Sequence, residues 1–134
     1  MVKVLDACAM IAYLRGEPGA EVVEALLLDK GNQCLAHAIN LCEVYYDFWR
    51  AKDENAAREA LSDLSSVGVI TREDMDSQIW QEAGKHKAII KKISLADCFA
   101  LALTNRTQAE LVTSDHHEFD PVAEKGYCRI IFIR

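Results

Sequence analysis

At 134 residues the chain is the size of one domain, long enough to bury a core without disulfides or a structural metal. Half of it is apolar and 27% is charged, with no low-complexity tract, internal repeat or linker, so a single domain over 1–134 is expected. The net charge of −6 argues against a uniformly basic nucleic-acid binder, although net charge does not describe local patches and a carboxylate site is far less acidic once it holds cations.

Val2 to Leu5 is a short apolar run that reads as a buried strand ending at Asp6. Ala7 to Leu14 has helical composition and is broken by Gly16 and Pro18. Because Asp6 interrupts the apolar stretch and Arg15-Gly16-Glu17-Pro18 follows at once, the N-terminus is not read as a signal peptide. Gly19 to Lys30 reads as a helix with Val22, Val23, Leu26 and Leu27 on one stripe and Gly31 as its stop. Gln33 to Ala36 is a second strand. A helix carrying Leu41, Val44, Tyr45 and Phe48 at helical spacing runs to about Lys52, and Glu54 to Ser65 is another. Val67 to Ile70 is a strand candidate, Asp74 to Lys92 is mostly helical, and Leu95 to Asn105 is a strongly apolar helix. Leu111 to Thr113 and Arg129 to Ile133 complete the strands. Strands alternating with helices predict an α/β sandwich on a largely parallel sheet, in which ligands bind beyond the carboxyl ends of the strands where strand order reverses. No apolar run is long enough to span a bilayer.

The five cysteines, Cys8, Cys34, Cys42, Cys98 and Cys128, are odd in number and form no C-x-x-C pair, which argues against a disulfide framework and fits a reducing cytoplasm. The acids carry the chemistry. Asp6 follows the first strand, where a carboxylate either caps the next helix or ligates a metal. Glu43 lies three residues after Asn40, and Asp97 three after Ser94, both in the pattern of a capping box; Thr71 and Asp74 form a third with no proposed role. Asp97 differs in preceding Cys98 to Leu103, all apolar, where an acid is costly unless paired, capped or bound to metal. Asp115 follows Thr113 and Ser114 at a strand end; Glu118 and Asp120, close behind it, are expected to face water, with a further oxygen ligand as the alternative. Four acids, each at a strand end or helix start, would converge at one sheet edge, repel one another, and favour a hard cation such as Mg²⁺ or Mn²⁺.

Val4-Leu5-Asp6-Ala7-Cys8-Ala9-Met10-Ile11-Ala12-Tyr13-Leu14, with the following Arg15 to Gly19, resembles the opening of PIN-domain nucleases, in particular the VapC-like toxin ribonucleases of bacterial toxin–antitoxin pairs. Ala38 to Tyr46 resembles the second acidic motif of that family, Ser94-Leu95-Ala96-Asp97 the third and Val112-Thr113-Ser114-Asp115 the fourth. The resemblance implies a three-layer α/β/α sandwich around a mostly parallel five-stranded sheet. It implies an acidic quartet of Asp6, Glu43, Asp97 and Asp115, one or two Mg²⁺ or Mn²⁺ ions, cleavage of RNA, homodimers, and a cognate antitoxin partner. Two positions depart from the family: Cys8 stands where Ser or Asn is usual, and His37 where a small hydroxyl residue is common.

The mechanism expected on this basis has Asp6, Asp97 and Asp115 as metal ligands and Glu43 holding a second ion or the attacking water. Thr113, Ser114, Cys8 and Arg15 are candidates for orienting carboxylates or touching phosphate, as is the run Lys85-His86-Lys87 to Lys91-Lys92, whose simpler reading is a solvated helix face. Tyr45, Tyr46, Trp49 and Trp80 are candidates for base stacking or for core and interface. The rivals are a catalytically silent PIN fold that binds RNA or protein, a receiver-like domain, which lacks its paired acids and lysine here, and a zinc site from Cys8, Cys42, Cys98 and His116 or His117.

Overall fold

A computed structural model describes all residues, 1–134. It contains β1 (Val2–Leu5), α1 (Ala7–Arg15), α2 (Ala20–Leu28), β2 (Gln33–His37), α3 (Ala38–Ala51), α4 (Glu54–Ser66), β3 (Ile70–Arg72), α5 (Ser77–Ile89), α6 (Leu95–Thr107), β4 (Glu110–Thr113), α7 (His116–Glu124) and β5 (Arg129–Phe132). The five strands form one sheet in the order β3-β2-β1-β4-β5, every pair parallel. The chain winds from β1 outward through β2 to β3, then crosses back over the sheet to β4 and β5, so strand order reverses at the β1/β4 junction.

Successive strand residues face opposite sides of a sheet, and the two faces bury separate cores. Val4, Leu35 and Leu111 pack with Ile79 of α5, Phe99 and Leu103 of α6, and Phe119 of α7. Leu5, Ala36 and Val112 pack with Met10, Val23, Val44 and Leu64 from α1 to α4. The strands are thus apolar on both sides, as a covered parallel sheet requires. The result is the three-layer α/β/α arrangement.

Several boundaries differ from expectation for local reasons. The third strand begins at Ile70 rather than Val67, because Val67 caps α4 and Gly68 turns the chain at φ +101°. Thr71 lies within that strand, so it caps no helix; Asp74 instead binds the Arg72 guanidinium through both carboxylate oxygens at 2.8 Å. The following helix accordingly starts at Ser77, with Asp76 at its N-cap position, and ends at Ile89; Lys92, expected within it, adopts a left-handed φ of +62°. The cap of α3 is His37, whose Nδ1 accepts the Ile39 N–H at 3.1 Å, not Asn40, which is fully buried inside the helix. Residues 116–124 form α7, a helix that the sequence pattern does not announce, despite Pro121 within it.

Candidate active site

Asp6 is the last residue before α1 and 1% exposed. The capping expectation holds: Oδ1 accepts the Ala9 N–H at 2.8 Å, while Oδ2 accepts a hydrogen bond from the Thr113 hydroxyl at the end of β4. Thr113 Oγ1 in turn accepts the Asp115 N–H at 2.9 Å. One buried threonine therefore locks the ends of the two central strands together and aims two acids into the junction between them. Asp115 caps α7 by accepting the Glu118 N–H at 3.0 Å.

The third acid arrives from α6. Ser94 caps that helix through the Asp97 N–H at 3.1 Å, as the sequence pattern indicates, and Asp97 sits in the first turn, 7% exposed. The preceding loop is tied across to α7, because the Ser94 N–H donates to Glu118 Oε1. Asn40 steadies the same helix start from α3, its Nδ2 donating to the Ala96 carbonyl at 3.2 Å; its Oδ1 is buried without a partner. Asp97, Asp115 and Glu118 each bring a carboxylate oxygen to within 4.8 Å of the others; Asp6 and Glu43 are not among this closely spaced trio.

Glu118 is the residue that the sequence expectation misplaced. Asp120 does face water, paired with His116 at 2.8 Å, but Glu118 turns inward. The signal was its spacing: three residues after a helix-capping acid lies the same helical face. Glu43, half-buried on α3, faces the negative charge of Glu118.

The electrostatics follow from these placements. Burial pushes the Asp6 carboxyl up to about 7, against the opposing pull of its two hydrogen bonds and with a further push from the charges of Asp115 and Glu43. Asp97 is raised strongly by burial and by the neighbouring charges of Asp6, Glu118 and Glu43. Glu43 is raised by burial and by Glu118. The Cys8 thiol is pushed up to about 12 by surrounding protein and then by Asp6, Asp97, Asp115 and Glu43; it lies at the rim of this cluster as a neutral thiol. None of the nine ion pairs in the molecule brings a Lys or Arg to Asp6, Glu43, Asp97, Asp115 or Glu118. Crowded carboxylates without a protein counter-ion, all oxygen donors at the mouth of a switch point, fit a hard divalent cation.

Other candidates lie elsewhere. Arg15 is at the opposite end of α1 from Asp6, bound to Asp47 at 2.8 Å with its guanidinium 4.5 Å from the Phe48 ring centre. Ser114 is half-buried at the site edge. In the basic run, His86 is buried against Tyr127 and Lys87 donates to the Ile93 carbonyl at 2.6 Å, whereas Lys85, Lys91 and Lys92 are exposed. Tyr45 and Trp49 pack edge to face on α3, and Trp80 lies half exposed on α5. The zinc alternative loses its ligand set: Cys98 is fully buried in the core and His116 is engaged with Asp120 and the Arg134 carbonyl. The imidazole of His37 takes over a hydroxyl's capping role, with Nε2–H donating to the Asp74 carbonyl at 2.8 Å.

The chain matches the family model of the PIN domain over residues 3–125. Among solved structures it is similar to VapBC2 from Rickettsia felis bound to a promoter DNA fragment, at 18% identity, 98% coverage of each chain and a TM-score of 0.75. It is also similar to VapBC-1 from nontypeable Haemophilus influenzae, at 20% identity, covering 99% of this chain and 98% of that one, with a TM-score of 0.74. A third is the sarcin–ricin-loop-cleaving toxin VapC20 of Mycobacterium tuberculosis, at 15% identity, 90% and 94% coverage and a TM-score of 0.70. No curated protein sequence matches the chain.

Proposed function

The chain belongs to the PIN-domain family, and from that premise we propose that it is a Mg²⁺- or Mn²⁺-dependent endoribonuclease, the toxin of a toxin–antitoxin pair. The observation that carries this reading is the cluster of Asp97, Asp115 and Glu118 at the β1/β4 junction without a basic partner, with Asp6 tied to Asp115 through Thr113 and Glu43 near enough to feel the charge of Glu118. Family membership supports nuclease chemistry, and the likeness to VapBC assemblies supports an antitoxin partner.

Asp97, Asp115 and Glu118 would hold the ion, with Asp6 completing the set once its proton is displaced. A divalent ion bound there supplies Lewis-acid polarisation of a phosphoryl oxygen and makes a nearby water a stronger nucleophile at neutral pH. The protein's own groups do the rest. Thr113 fixes the orientation of Asp6, and Ser94 and Asn40 fix the helix that carries Asp97. Glu43, its carboxyl raised above the ordinary range, is suited to accept a proton from the attacking water. In-line attack at phosphorus then leaves a 5′-phosphate and a 3′-hydroxyl.

Replacing one ligand in such a site removes charge that is needed in the transition state. Asp97→Asn is therefore expected to lower the rate of Mn²⁺-dependent cleavage of a structured RNA by at least about a hundredfold, with the fold intact by circular dichroism. Wild-type rates in Asp97→Asn and in Asp6→Asn would contradict the assignment and favour the silent binding module.

A further inference from the structure

Of the fifteen Lys and Arg residues, Lys3, Arg15, Arg58, Arg72, Arg106 and Arg134 are held by carboxylates, and Lys87 by a main-chain carbonyl. Among the rest, Lys91, Lys92 and Lys125 line a single cleft of about 430 Å³, and no acid lines it. In a chain of net charge −6 that concentration of free ammonium groups is local and one-sided. One wall is the loop after α5, where the left-handed backbone at Lys92 turns the chain toward α6. The other is α7 and the turn beyond it, with Pro121, Lys125 and Tyr127.

Both walls belong to segments that also carry parts of the carboxylate site. Lys92 is two residues before Ser94, whose amide is bound by Glu118. Along α7 and its C-cap, Glu118, Pro121 and Lys125 fall at i, i+3 and i+7, one stripe down the helix. An occupant lying along this stripe passes from the acids at one end to the ammonium groups at the other. The lining between the lysines, Ile89, Pro121 and the half-buried Tyr127, is apolar and suits a sugar or a base face. We propose that this cleft holds the phosphodiester backbone of single-stranded RNA as it leads into the carboxylate site, with Lys91, Lys92 and Lys125 contacting phosphates. The inference rests on the ribonuclease reading and adds to it the track by which an acidic protein takes an acidic substrate.

Lys91 and Lys125 are exposed and make no structural hydrogen bond through their side chains, so Lys91→Gln/Lys125→Gln is expected to fold normally. Lys30→Gln/Lys52→Gln, the same change in charge away from the cleft, is the control. In an Asp97→Asn background that prevents cleavage, a fluorescent twelve-nucleotide oligouridylate is titrated at several salt concentrations. The cleft variant should bind about tenfold more weakly than the control at low salt, and the slope of log K against log salt should flatten by about 1.4, the loss of two single-strand phosphate contacts. Equal affinity and slope in cleft and control variants, while the parent binds, overturns the cleft alone. No RNA binding by the parent overturns both the cleft and the ribonuclease reading. Binding of a polyglutamate peptide in preference to the oligouridylate overturns the inference in favour of an acidic protein segment.

Discussion

Asp6 is asked to be two things at once, and the conflict has a measurable consequence. As a helix cap and partner of Thr113 it is well placed, yet burial among other acids lifts its carboxyl from the ordinary 3.8 to about 7. A carboxyl with a higher pKa folded than unfolded binds more protons in the folded state. Its contribution to stability is then full below about pH 4 and is lost as pH rises through about 7. Asparagine caps helices as well as aspartate does and carries no charge to desolvate. Asp6→Asn should therefore stabilise the metal-free protein at pH 8 by on the order of 1–3 kcal/mol, seen as a higher melting temperature, while leaving it nearly unchanged at pH 4. Thermal unfolding at the two pH values checks this, and a lower melting temperature at pH 8 would show that the charge is already compensated. Cys8, in the first turn of the same helix, stays a neutral thiol beside these acids, so Cys8→Ser should leave the cluster's charge, and hence this pH dependence, as it is.

The helices and strands that gather the acids were legible wherever periodicity and capping agreed. β1, α4 and α6 fall within a residue or two of their expected bounds, and Ser94 caps α6 as its pattern says. Legibility failed where two local signals competed. Asn40 and Glu43 have capping-box spacing, but the buried His37 offers a ring nitrogen earlier, and Asn40 is taken inward to the Ala96 carbonyl. Thr71 and Asp74 have the same spacing, but Arg72 and Arg106 claim Asp74, whose carboxyl they hold down to about 2. α7 was invisible because Pro121 removes a backbone donor from its middle and only Phe119 and Val122 mark its buried face; with the helix went the inward direction of Glu118. Just beyond the carboxyl end of β5, Gly19 has φ +98° and a Cβ there would lie 2.7 Å from the Ile133 carbonyl oxygen. Gly19→Ala must strain both the turn into α2 and the chain leaving β5. It should cost more than the ~1 kcal/mol of an ordinary Gly→Ala misfit, read as a lower urea midpoint with an unchanged m-value. An unchanged midpoint would mean that the C-terminal segment gives way freely.

At the scale of the whole molecule, the sheet brings together acids more than a hundred residues apart in sequence, such as Asp6 and Asp115, and offsets none of their charge with a basic side chain. An acid-rich fold of this kind holds protons where it lacks a cation, and gives them up when one binds. The family's fold could be read from the order of its motifs; the uneven distribution of charge could not, because the basic cleft draws on Lys91 and Lys125 from segments far apart in the chain. The most direct test is calorimetric titration of Mn²⁺ into the metal-free protein at pH 7, repeated in buffers of different ionisation enthalpy and with Asp97→Asn. The account predicts binding accompanied by net proton release in the wild type, with binding greatly weakened in the variant. Binding without proton release, or equally tight binding by Asp97→Asn, would contradict it.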